Sequence, residues 1–137
     1  GYVNALELYR VDNGAFPNSP TCLGPAADFP SNNCASAIGW NENRPYNLAL
    51  NTTLDGYRGR ASSAADYSYA KLGNPAGVMW YHNSYWGKNH QVLGYLMPPT
   101  HDCGLHNIQD DINHEAEPGR KYTLRGQIVT VCVLQLD

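Results

Sequence analysis

Apolar positions recur with helical spacing at the start of the chain. Tyr2, Ala5, Leu6 and Tyr9 fall at i, i+3, i+4 and i+7. That is one face of a 3.6-residue period, so the pattern predicts a helix over 2–13 with these four residues as its packing face. Val3, Leu8 and Val11 widen the stripe. Asn13-Gly14 supplies the stop, because glycine tolerates the left-handed conformation that closes a helix and Pro17 cannot continue one. No Ser, Thr or Asp precedes the periodic run, so a helix with a clear end and an uncapped start is expected.

Helical periodicity is then lost. Residues 14–64 read as a loop region, punctuated by Asn18-Ser19-Pro20, Gly24-Pro25 and Pro30-Ser31-Asn32-Asn33. Ala35 to Trp40 fits a short turn or strand, and Arg44 to Leu50 opens a further short element of ambiguous period. From 65 onward the pattern is β. Asp66 to Lys71 alternates and is rich in tyrosine, and Val78 to Trp86 carries aromatics on both alternating faces. His90 to Met97 is the next strand, ended by Pro98-Pro99. Residues 101–119 are polar and irregular. Tyr122 to Leu136, centred on Ile128-Val129-Thr130-Val131-Cys132-Val133-Leu134, is the densest β-branched run and calls for burial. The elements predict an α+β fold, with an N-terminal amphipathic helix packed on an antiparallel β-sheet and long loops stapled by disulfides.

Composition narrows the setting. A chain of 137 residues is one domain by length. Charged residues make up 15%, below the roughly 25% of average soluble domains, with Asn, Gly, Tyr and Ser in their place. That balance fits extracellular β-rich proteins. A net charge of −3 offers no basic footprint for nucleic acid. No apolar run approaches the roughly 18 residues that span a bilayer. Cys22, Cys34, Cys103 and Cys132 form an even set without a Cys-x-x-Cys pair, and four cysteines allow three pairings. Cys22 with Cys34 and Cys103 with Cys132 are favoured, since each pair encloses one local segment. Such bonds belong to an oxidising compartment.

The run Ala5-Leu6-Glu7-Leu8-Tyr9, followed by Asp12-Asn13-Gly14 and Phe16-Pro17, resembles the exposed half of the long first helix in type IV pilins and type II secretion pseudopilins. In that family an apolar half-helix precedes this segment, anchors the precursor in the inner membrane and later packs in the filament core. The resemblance implies that 2–13 is the lower part of a longer helix and that the chain is the globular domain. The stretch Ile108-Gln109-Asp110-Asp111-Ile112-Asn113, followed by Pro118-Gly119, is similar to an Ile-Asp-x-x-Ile-Asp-Asp-Gly-x-Pro-x-x-Gly segment of some pilin-like proteins. It departs from that segment at Asn113-His114 and Glu115. Helix-then-sheet order and a disulfide-bounded segment near the C-terminus are also family features.

Several clusters carry candidate chemistry. His101, Cys103, His106 and His114, with Asp110 and Asp111, are zinc-type donors, but they lack zinc-finger spacing and a His-Glu-x-x-His run. Cys103 cannot serve both a disulfide and a metal. Asp110, Asp111, Glu115 and Glu117 are hard oxygen donors of the kind calcium takes, without the strict calcium-loop pattern. Some pseudopilins hold calcium in a C-terminal loop, which the resemblance carries to these four residues. Trp80, Tyr81, Tyr85, Trp86 and Tyr95 are an aromatic set that would stack on sugar rings if exposed and would be core if not. Asn51-Thr52-Thr53 matches a glycosylation sequon and is read as chance. No nucleophile motif or phosphate-cradling loop is present.

The resemblance implies a non-catalytic structural subunit, a major or minor pilin or a pseudopilin. Its partners would be copies of itself or related subunits in a filament at the bacterial surface or in the periplasm. Two other readings stay open. One is a secreted β-rich carbohydrate-binding module using the 80–95 aromatics, and the other is a small metal-dependent hydrolase.

Overall fold

The computed structural model describes residues 1–29, 34, 45–59, 79–84, 90–103, 121–124 and 126–137. Helix α1 runs Tyr2–Asn13. Tyr2, Ala5 and Leu6 are buried, and Tyr9 packs against the same core. Gly14 ends the helix at φ 80°, its N–H donating to the Arg10 carbonyl. The Asn13 amide donates to the Tyr9 carbonyl at 2.9 Å, covering another terminal acceptor. Gly1 at the N-cap position makes no side-chain cap bond. The stripe is narrower than the sequence suggested, because Val3, Leu8 and Val11 are exposed, Val11 at 73%. At about 100° per residue, Val11 lies about 180° from Tyr2, so both cannot face one core.

A second helix, α2 (Leu48–Arg58), stands where the sequence read as loop. Asn47 caps it by accepting the Leu50 N–H at 2.9 Å, and Gly59 closes it at φ 78°. Its interior carries Asn51, Thr52, Thr53 and Gly56, all poor helix formers. Packing overrides that propensity: Leu50, Asn51 and Leu54 are buried. The two helices pack together. Tyr9 and Tyr57 meet edge to face with ring centroids 6.4 Å apart, and the Tyr57 hydroxyl donates to Asp12 at 2.7 Å. The Arg58 guanidinium lies 4.2 Å from the Tyr2 ring centroid and donates to Asp55 at 3.2 Å.

Among the described residues five antiparallel strands form the sheet, in the order β1-β2-β3-β5-β4. They are β1 (Thr21–Leu23), β2 (Met79–His82), β3 (Val92–Met97), β4 (Lys121–Leu124) and β5 (Gln127–Gln135). Strand β1 was unforeseen, being three residues between prolines. The single strand expected over 122–136 is a hairpin: Leu124 pairs with Gln127, and Gly126 turns the chain at φ 77°. Glycine at that offset is the usual two-residue hairpin signal. Trp80 and Tyr81 are adjacent yet both buried, so β2 is covered on both faces. Trp80 pairs with Gly94 and lies directly over it. Disulfides join Cys22 to Cys34 and Cys103 to Cys132, the latter tying the segment after β3 to β5. The strand expected over 66–71 lies outside the described residues.

Candidate functional site

Two surfaces gather the chemistry. One is the outer side of α1, where Val3, Leu8 and Val11 are exposed beside Glu7 and Arg10. Arg10 and Glu7 pair at 2.9 Å one helical turn apart. A cation in the last turn also complements the helix dipole.

The other is a cleft of about 370 Å³ at the C-terminal end of α1. Arg10 reaches it from the helix, Phe16 and Asn18 follow the Gly14 cap, Asn83 follows β2, Gln91 precedes β3 and Asp137 follows β5. The Arg10 guanidinium lies 5.2 Å from the Phe16 ring centroid. The Gln91 amide donates to the Asn83 carbonyl at 3.0 Å, and the Asn83 amide to the Asn18 carbonyl at 3.4 Å. His90 Nδ1 is 3.4 Å from Asp137 Oδ1. Pro17 is buried and accepts the Tyr81 hydroxyl bond at 2.6 Å. That bond fixes the cleft wall to β2. A smaller hollow of about 240 Å³ lies on the other side of Pro17 and Asn18, against α2.

Between α2 and β1, Asn51 acts as a polar pivot. Its oxygen accepts the Gly24 N–H at 3.0 Å, and its nitrogen donates to the carbonyls of Cys22 and Asn47 at 3.0 and 2.9 Å. The side chain thus satisfies edge groups of β1 as a neighbouring strand would. At 2% exposure Asn51 presents no acceptor for a glycan, so the sequon is structural. Tyr46 adds a second clamp, its hydroxyl donating to the Gly24 carbonyl while its ring stacks on Phe29. Burial pushes its phenol pKa up to about 12.

The sequence candidates separate. Tyr2, Ala5, Leu6 and Tyr9 come together against α2 and the core. All four cysteines are bonded, so Cys103 is unavailable as a metal ligand. Trp80 and Tyr81 are core residues and offer no stacking face; Tyr95 is half-buried, and burial raises its phenol pKa. Tyr85, Trp86, His106, Asp110, Asp111, His114, Glu115 and Glu117 lie outside the described residues. Among the described residues no group of three or more His, Cys, Asp and Glu side chains is placed to hold a metal.

Asn83 and Gln91 carried no motif, and the sequon at Asn51 did not point to the clamp it makes. The only signal was compositional, an excess of amides over charges. Comparison with family models, curated proteins and solved structures gave no match. Two disulfides are consistent with an extracellular protein. Among the described residues no helix is long and apolar enough to cross a membrane.

Proposed function

We propose that this chain is the globular domain of a filament subunit of the type IV pilin or type II pseudopilin kind, acting by assembly. The observation that carries this reading is the two-sided α1. One side is buried against α2 and the core, while the other exposes Val3, Leu8 and Val11 along the same helix. Exposed apolar side chains aligned on one element are what a subunit contact uses. The resemblance of 5–17 to the first helix of that family names the partner as further copies of the chain or related subunits. The antiparallel sheet beneath the helix and the disulfide that ties into its longest strand agree with that architecture.

The test is made in cells producing the full gene product. Filaments sheared from the surface are expected to contain this chain. Val11→Lys is expected to abolish their recovery while shifting the domain's Tm by no more than about 2 °C, because exposed substitutions rarely exceed about 0.5 kcal/mol. Recovery of the chain only as a freely secreted monomer, or undiminished filaments in V11K, refutes the reading.

A further inference from the structure

The cleft at the end of α1 holds polar groups that filament assembly does not require. Its volume of about 370 Å³ falls at the small end of the roughly 300–1,000 Å³ of small-molecule sites. That suits a mono- or disaccharide better than a folded partner.

The Arg10 charge is already matched by Glu7 at 2.9 Å, whereas Asp137 has His90 at 3.4 Å, a charge partner only when protonated. An incoming anion would lose hydration with no unmatched cation to receive it. The amides are what remains. Both Gln91 and Asn83 donate their nitrogens to backbone carbonyls, which identifies the nitrogen ends and fixes the amide planes. Their side-chain oxygens have no hydrogen bond among the described residues. Fixed acceptors ask for a ligand rich in donors, and the free N–H groups of the Arg10 fork ask for acceptors. A sugar hydroxyl is both. Phe16 adds apolar surface of the kind a pyranose ring's C–H face contacts.

We propose that this cleft binds a neutral saccharide, with Asn83 and Gln91 accepting from its hydroxyls and Arg10 donating to them. The site shares Arg10 with the outer side of α1 but none of Val3, Leu8 and Val11, and it does not depend on filament membership. A chain that never assembles still binds, and failure to bind leaves assembly untouched.

The test is an NMR titration of the isotope-labelled chain with the methyl glycosides of glucose, galactose, mannose and N-acetylglucosamine. N-acetylneuraminic acid and glycine serve as charged probes. Saturable shifts of the Asn18, Asn83 and Gln91 side-chain amides are expected with at least one neutral glycoside. Gln91→Met, which keeps the length and loses the amide, is expected to weaken that binding about tenfold. Arg10→Met, which removes the donating fork and keeps much of the stem, is also expected to weaken binding and provides a second variant should the first disturb β3. Thr53→Ala, in the hollow beyond Pro17, is expected to leave binding unchanged. The proposal is overturned by the absence of saturable shifts with every neutral glycoside, by shifts with the charged probes alone, or by unchanged affinity in both cleft variants.

Discussion

Asn51 shows how much one side chain can settle. It connects α2 to the edge of β1 through the Gly24 N–H and the Cys22 carbonyl, and to its own helix through the Asn47 carbonyl. Asn51→Leu keeps the size and leaves a buried donor and acceptor unpaired, at about 1–3 kcal/mol each. A loss of about 3 kcal/mol or more is expected, read as a Tm lower by about 10 °C. Asn51→Asp is expected to be worse, since it puts acceptors against two carbonyls and buries a charge. Denaturant unfolding that ranks Asp above Leu would show that the hydrogen-bond polarity is unimportant.

Gly94 is the second such position. A Cβ there would stand 2.1 Å from the Trp80 ring. Gly94→Ala must therefore push a buried indole out of place, at about 3 kcal/mol. In a double-mutant cycle with Trp80→Leu the two costs are expected to be less than additive. Strict additivity would mean that the clash does not set the cost.

At the scale of elements, what the sequence showed follows from where its signals were local. α1 was legible because its period and its Gly14 stop need no tertiary partner. The exposure of Val3, Leu8 and Val11 was not legible in their hydrophobicity, which carries no angle around the helix axis. Helix α2 was hidden because Asn51, Thr52, Thr53 and Gly56 disfavour helix locally, and only contact with α1 and β1 repays them. β1 is three residues long and gains order from β2 and the Asn51 clamp, neither visible in its own letters. The β4–β5 turn was legible at Gly126 and was overridden by the apolar density around it. The cleft was illegible because its residues are far apart in sequence and meet only in the fold.

Element packing also orders the two disulfides. Cys22 and Cys34 are fully buried, as is Cys132, but Cys103 is partly exposed. A thiolate must reach sulfur to exchange, so Cys103–Cys132 is expected to be reduced first under native conditions. Alkylation of Cys103 and Cys132 ahead of the other pair, followed by mass, checks this. Loss of that bond is expected to cost about 3 kcal/mol by loop closure. Simultaneous reduction of both bonds would show that opening is global.

For the whole molecule, buried tyrosines make alkali the condition that discriminates most sharply. Burial raises the Tyr46 phenol to about 12 and also lifts those of Tyr81 and Tyr95. Tyr57 is raised by its hydrogen bond to Asp12. In the unfolded chain these phenols give up protons near pH 10. Above that value the unfolded state holds fewer protons than the folded one, so unfolding becomes more favourable as pH rises. Their contribution is complete below about pH 10 and is lost as pH climbs toward the folded value near 12. Tm is expected to fall steeply across that window, and ultraviolet titration should show a late, cooperative ionisation step coincident with loss of tertiary signal. Tyr46→Phe should flatten the fall while lowering the starting Tm, because the ring stack on Phe29 stays and the bond to the Gly24 carbonyl goes. A Tm that holds level through the window, with all tyrosines titrating together near pH 10, would mean that these side chains reach solvent without unfolding, against the packing of β2 and α2 that buries them.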